Sequence, residues 1–361
     1  MIFTLPSWPW ACLMRVDMLA MLLSFAGIAL FIAGGRRMPI ALLAFLFFVA
    51  ALFTKQTMVA GPLACGVLLL LESPRRFAIT AVLASAAALG TLAALQVVTH
   101  GYYLTNIISY NRNVFMPGQL LRFELEHLES SGPVVAASLF LPALFLLRTP
   151  PARMLPRLRL LLRRSLFTRL LAVATGVLIV ATAVTVTAGK QGANYNYFLE
   201  MDLACALGAG VFSGWLLQRG VHRAQLALFA TIILALHCTR VEPRIYTALT
   251  AGRDPAPRYA AEVVNVLRNT AGRVYSEDMT VLMEAGKEIE AEPAIISTLA
   301  LAGKWDEQPF VMSIEGGEMS LIVLSTTLEN KDRFTPRVAD AIRSRYKLGR
   351  KIGQYSLYEP R

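Results

Sequence analysis

Eight apolar runs separated by short polar turns fill the first two-thirds of the chain, and a more mixed pattern replaces them near residue 240. The runs are Met18–Gly34, Pro39–Thr54, Met58–Leu71, Phe77–Val98, Pro133–Leu147, Leu170–Ala188, Tyr197–Leu217 and Ala224–Cys238. Helices that are apolar on every face bury themselves in a bilayer, so these runs predict transmembrane spans. Several are shorter than the roughly 20 residues of an untilted span, and re-entrant segments are expected among them. The longest connection is Thr99–Gly132. Within it Gly118–Leu128 carries Leu120, Leu121, Phe123, Leu125 and Leu128 on one broad face, the pattern of a helix lying on the membrane surface.

After Arg240 the periods shorten. Helical spacing covers Arg258–Asn269, Glu292–Ala302 and Val338–Tyr346, and strand-length segments occupy Arg273–Tyr275, Leu321–Leu324 and Tyr355–Tyr358. Strands alternating with helices predict a small α/β fold, and about 120 residues can bury a core of their own. Ser276-Glu277-Asp278 follows the first strand and opens a helix, which suits capping or a substrate contact. The predicted fold class is therefore an all-α polytopic membrane bundle of about eight transmembrane helices (residues 1–239) followed by a small soluble α/β domain (residues 240–361).

Composition supports the division. The 361 residues are 55% hydrophobic and 16% charged, with a mean hydropathy of +0.52, too apolar for a soluble enzyme. From Arg240 onward 17 basic residues balance 17 acidic ones, whereas the preceding part holds 18 basic and 7 acidic residues. The whole net charge of +11 thus sits among the apolar runs. Charge in that location marks membrane orientation and argues against nucleic acid as a partner.

The loops alternate in charge. Arg36/Arg37, Glu72–Arg76, Arg148–Arg169 and Arg219–Arg223 share one side with 13 basic residues and one acid, while the other side holds Arg15, Lys55, Arg112, Arg122 and Lys190 with six acids. The positive-inside rule assigns the arginine-rich side to the cytoplasm and turns the opposite loops and the C-terminal domain outward. Met1–Leu13 is apolar but lacks a basic leading region and a small-residue cleavage site, so it does not read as a secretory signal.

Candidate chemistry is confined to the outward side. Cys12, Cys65, Cys205 and Cys238 lie in or beside the spans and give no metal-binding spacing; His100, His127, His222 and His237 are scattered. No cofactor is required by these residues, and a divalent metal is left open. The polar strip Gly189–Asp202, by contrast, is wedged between two apolar runs. A comfortable span beginning near Tyr197 carries Glu200 and Asp202 into its first turns, beside Lys190, Asn194, Tyr195 and Asn196. Ionisable groups at that depth are costly and point to a site, although carboxylates at a helix start also satisfy the helix dipole. Lys55-Gln56-Thr57 forms a tight outward turn whose ammonium either snorkels or meets a phosphate. Arg15 and Asp17 form either an interfacial ion pair or a phosphate clamp with an acid–base partner. In the long loop Tyr102, Tyr103, Tyr110 and Asn111 fit an aromatic belt or a carbohydrate- or headgroup-contacting surface.

Taken in order, Arg15-Val-Asp17-Met-Leu-Ala, Lys55-Gln56-Thr57, the Gly-Tyr-Tyr…Tyr110-Asn111-Arg-Asn loop and Lys190-Gln-Gly-Ala-Asn194-Tyr195-Asn196-Tyr197-Phe-Leu-Glu200 resemble the latter part of bacterial C-type polytopic glycosyltransferases. These are similar to the protein mannosyltransferases and the lipid A aminoarabinose transferase. The resemblance covers most of the chain. It implies a multi-pass enzyme of the bacterial cytoplasmic membrane that moves a hexosyl or pentosyl unit from a polyprenyl-phosphate donor to an acceptor glycan, lipid or protein on the outer face. The family places its principal catalytic carboxylate in an outer loop several tens of residues ahead of the position of Arg15. Asp17, which is not the family's usual catalytic acid, and Glu200 are the candidate catalytic carboxylates that could stand in for it. Arg15, Lys55, Gln56, Tyr110, Asn111, Lys190, Asn194, Tyr195, Asn196, Tyr197 and Asp202 would then form the substrate-binding set. The resemblance therefore implies a chain lacking its N-terminal part, with slow or no turnover as it stands. Two other classes compete: a transporter or flippase of a lipid-linked solute, and a non-catalytic membrane scaffold. The absence of a visible internal repeat disfavours the transporter.

Overall fold

The computed structural model describes residues 16–34, 36–111, 113–220, 222, 224–225, 228, 232 and 256–361. The chain divides into two compact units, Met1–Ile245 and Tyr246–Arg361. The expected boundary at residues 239/240 lies outside the described residues.

The first unit is helical. Its elements are α1 (Val16–Gly34), α2 (Met38–Thr54), α3 (Ala60–Glu72), α4 (Pro74–Val98), α5 (Pro117–Leu147), α6 (Pro151–Arg164), α7 (Leu166–Thr185) and α8 (Leu199–Gln218). Five stretches are long and apolar enough to cross a membrane: α1, α4, α5, α8 and Leu166–Gly189, in which α7 continues through a 3₁₀ turn. The apolar helices α2 and α3 are shorter, with 17 and 13 residues. The structure thus shows a membrane-type helical unit with five such spans among the described residues, against about eight expected. Most of Ala224–Cys238 lies outside those residues.

Small residues let these helices approach. A Cβ on Gly27 would stand 2.6 Å from the Phe48 ring, and one on Gly61 would stand 2.8 Å from it. Close backbone approach of this kind supplies the packing that the hydrophobic effect cannot provide between helices in lipid. Phe31, Phe45, Phe48, Leu69, Val173 and Val177 fill the interior, with Phe45 and Phe48 edge to face at 5.3 Å.

One expectation is corrected here. Gly118–Leu128 and Pro133–Leu147 are not a surface helix and a separate span; they belong to the single 31-residue helix α5, which contains Pro133 and Pro142. A proline deletes one backbone donor and bends a helix without necessarily ending it. The N-terminal half of α5 also has partners inside the unit: the Phe123 ring lies tilted against Tyr195 with centroids 4.4 Å apart, Glu124 accepts from Thr185 at 2.6 Å and His127 is fully buried. Those contacts join the other face of the segment to the bundle, while Leu121, Leu125 and Leu128 stay exposed.

The second unit is a small mixed sheet between helices. It comprises α9 (Ala256–Asn269), β1 (Arg273–Ser276), α10 (Met279–Ala285), α11 (Pro293–Leu301), α12 (Gln308–Glu315), β2 (Met319–Leu324), α13 (Pro336–Arg345), β3 (Tyr346–Ile352) and β4 (Tyr355–Pro360). Strand order is β1-β2-β4-β3, with β1 and β2 parallel and the other pairs antiparallel. The apolar run of β2 is buried on both faces: Leu321 and Val323 meet Val263, Leu267 and Val281, while Ile322 and Leu324 meet Val338, Ile342 and Tyr346. The helix expected at Val338–Tyr346 stops at Arg345, and Tyr346 opens a strand that the sequence pattern did not show. β3 is an edge strand whose interior, Lys347–Lys351, is exposed throughout, Leu348 included, so only Tyr346 and Ile352 are buried.

Candidate functional site

Helix direction brings three chain segments to one end of the first unit. α1 begins there, α2 ends there at Lys55, and α8 begins there after the 3₁₀ turn Tyr195–Tyr197. Asp17, in the first turn of α1, is 1% exposed and forms an ion pair with Lys55, itself 9% exposed. Asn196 joins them twice: its side-chain amide donates to Asp17 Oδ1 at 3.0 Å, and its carbonyl accepts from Lys55 Nζ at 3.2 Å. The ammonium also lies 5.1 Å from the centre of the Tyr197 ring, a cation–π contact.

Glu200 sits beside this pair in the first turn of α8, 2% exposed. Lys55, Ser24 Oγ and the Ala60 backbone are its polar neighbours. Neither carboxylate oxygen has a hydrogen bond of good geometry among the described residues, and neither does Ser24 Oγ. Burying a carboxylate is costly even where an ammonium, a hydroxyl and a backbone amide stand near it. Such a group is kept where something outside the chain completes it.

The remaining expected residues are distributed around this core. Asp202 is buried and receives a hydrogen bond from His127. Tyr195 donates its hydroxyl to Glu126. Asn194 is exposed and spends its side chain on the Tyr195 amide at 2.9 Å, capping the 3₁₀ turn. Lys190 is half-buried, its backbone pairs with Phe115, and it makes no ion pair among the described residues. Gln56 and Asn111 are exposed and Tyr110 is half-buried; no contact joins any of the three to the Asp17 cluster. Arg15 lies outside the described residues. The loop carrying Tyr110 and Asn111 nonetheless runs towards the strip, because Asn113, Val114 and Met116 bond to Gly189–Gln191.

Two participants were not singled out in the sequence. Ser24 lies two helical turns after Asp17, on the same face of α1, and that i, i+7 spacing was the available signal. His127 lies in a segment that also contains Glu124, Glu126 and Glu129, a concentration of polar groups unlike a simple surface helix.

The group as arranged sets the buried carboxylate of Glu200 beside the Lys55 ammonium, a pairing of the two group types that proton transfer and anion stabilisation use. Among the described residues no cluster of three or more His, Cys, Asp or Glu side chains is arranged to hold a metal ion. No protein-family model matches the chain, and no curated protein matches it either.

Proposed function

We propose that the chain is a membrane glycosyltransferase that moves a sugar from a polyprenyl-phosphate carrier to an acceptor glycan, lipid or protein on the outer face of the cytoplasmic membrane. The observation that carries this reading is Glu200, a buried carboxylate with only Ser24, the Ala60 backbone and Lys55 as polar neighbours among the described residues, held beside the Asp17–Lys55–Asn196 group. The order of motifs from Arg15 to Glu200 supports the same reading.

In the proposed reaction Glu200 takes the proton from the acceptor hydroxyl. The acceptor oxygen bonds to the anomeric carbon as the bond from that carbon to the phosphate oxygen breaks, and the electron pair leaves on the phosphate. Asp17 is already engaged by Lys55 and Asn196, so it acts as a positioning residue that orients the ammonium. Because Asp17 offsets the charge of Lys55, the departing phosphate also needs Lys190, which has no ion-pair partner among the described residues. Tyr195, Tyr197 and Asn194 would line the approach of the sugar.

One observation favours a second reading. Glu200, buried in the first turn of α8 beside Lys55, equally suits a coupling proton or cation in a transporter of lipid-linked solutes. Proteoliposomes loaded with a labelled polyprenyl-phosphate sugar and a mixed acceptor separate the two. Transfer of label that falls by about 10²–10⁴-fold in Glu200→Gln, with donor binding retained, is the expected result. Undiminished transfer in that variant rejects the role of Glu200. Movement of the labelled lipid across the bilayer without transfer supports the transporter.

A further inference from the structure

At the opposite end of the first unit, arginines line a cavity of about 400 Å³. Its walls include Ile32 and Gly34 from the end of α1, Arg36 and Arg37 at the entry to α2, and Leu166 and Arg169 at the start of α7. The guanidinium of Arg169 is the built part of the site. It is 2% exposed, stacks on Phe31 at 4.5 Å, donates to the Ile32 carbonyl at 3.3 Å and meets Glu72 at 3.1 Å. Its Nη2 still has no acceptor among the described residues.

The surroundings are strongly cationic. Glu72 is shared by Arg169 and Arg76, the latter at 3.9 Å, so one carboxylate faces two guanidiniums while Arg36 and Arg37 stand beside them with no carboxylate partner among the described residues. Helices α2, α4 and α7 begin at this end and α1, α3 and α6 finish here, so the positive character comes from the arginine side chains rather than from helix dipoles. The amphipathic helix α6 adds five arginines and no acid, and it is fastened to this end by the bond from Arg36 to the Leu162 carbonyl at 3.0 Å. Leu155 and Leu160 of α6 and Leu166 of α7 are about half exposed, an apolar fringe next to the charges.

We propose that this cavity binds the phosphate of an anionic phospholipid headgroup, with Arg169 Nη2 and the Arg36 and Arg37 guanidiniums as donors. Guanidiniums bind phosphate oxygens bidentately, and an anionic leaflet attracts a basic interfacial helix such as α6. The apolar fringe gives the acyl chains a place beside the headgroup, which a soluble phosphate does not need. The site is independent of the Asp17–Glu200 end and of the activity proposed there.

The test uses the full chain in neutral detergent, titrated with fluorescent phosphatidylglycerol and separately with phosphatidylcholine. Arg36→Gln/Arg37→Gln is expected to weaken phosphatidylglycerol binding on the order of 10- to 30-fold, since each interfacial cation contributes about one factor of several. Arg219→Gln removes a cation outside the cavity and should leave binding unchanged. Arg169→Lys, monitored by thermal unfolding to confirm a folded protein, should also weaken it. Equal affinity for both lipids, or equal losses from Arg219→Gln and Arg36→Gln/Arg37→Gln, overturns the proposal. Displacement of the lipid by millimolar inorganic phosphate assigns the cavity to a soluble anion and overturns the lipid assignment.

Discussion

His127 donates through Nε2 to Asp202 Oδ1 at 2.6 Å across the interface of α5 and α8, although the two residues are 75 positions apart in the chain. The imidazole is wholly buried and lies 4.8 Å from the Phe198 ring, nearly parallel to it. The pair therefore fastens the polar N-terminal half of α5 to the helix that carries Glu200.

Removing the imidazole leaves a buried carboxylate short of a donor. His127→Ala should destabilise the protein by about 1–3 kcal/mol, read as a lower midpoint of thermal unfolding in detergent. Asp202→Asn in the same background should add little, giving a coupling of about 0.5–3 kcal/mol in the double-mutant cycle. Strict additivity would show that the two side chains do not depend on each other.

The Asp17–Lys55 pair predicts a different pattern. Breaking a buried ion pair by removing one member costs about 3–5 kcal/mol, whereas replacing both members leaves neither Asp17 nor Lys55 orphaned, although Glu200 loses its Lys55 neighbour whenever Lys55 is replaced. Lys55→Met and Asp17→Asn should each lower stability, and the double variant should be more stable than Lys55→Met alone. The measurement is thermal unfolding of the three variants in one detergent. A double variant that sums the two losses would contradict a mutual pairing.

Much of this was legible before the structure. Apolar runs locate the membrane-type helices because lipid burial demands side chains that are apolar on every face, and the composition shift near Arg240 separates the α/β part. Leu321–Leu324 reads as a strand because it is buried on both sides of the sheet. The depth of Glu200 and its neighbour Asn196 marked one end of the first unit. What stayed hidden depended on contacts distant in sequence. Nothing local around Asp17 says that it will pair with Lys55, 38 positions away. The Gly132–Pro133 step looked like a boundary, yet α5 continues through it because Glu124, Glu126 and His127 find partners inside the bundle. The strand β3 is hidden because its interior positions, Lys347-Leu348-Gly349-Arg350-Lys351, are exposed and show no apolar alternation.

Gly27 gives a packing test. A methyl group there would stand 2.6 Å from the Phe48 ring and 2.9 Å from the Ala44 carbonyl. A ring can turn aside, but the carbonyl belongs to the backbone of α2, so α1 and α2 would have to separate. Gly27→Ala should cost about 1–3 kcal/mol, the usual penalty of overpacking. Phe48→Leu should restore only part of that loss, because it leaves the Ala44 contact untouched. Thermal unfolding of the single and double variants decides; full restoration would locate the strain in the ring alone.

Glu277 supplies a pH dependence in the second unit. Its Oε1 accepts from the Ser325 amide at 2.6 Å, the Ser325 hydroxyl at 2.8 Å and the Thr326 amide at 2.7 Å, yet burial is the larger effect and pushes its pKa upward. A carboxyl whose folded pKa lies above its unfolded value binds more protons in the folded state between those two values. Stability from this group is then fully present below the ordinary glutamate pKa and declines as pH rises through the raised one. Tyr355 nearby is pushed up to about 12, and burial likewise raises Tyr275, so neither titrates in that window. Glu277→Gln keeps an acceptor for the Ser325 and Thr326 amides while abolishing the titration. Protection of those two amides against hydrogen exchange, corrected for the intrinsic rate, should fall from acid to neutral pH in the native chain and stay level in Glu277→Gln. Parallel pH profiles in the two proteins would assign the dependence to another group.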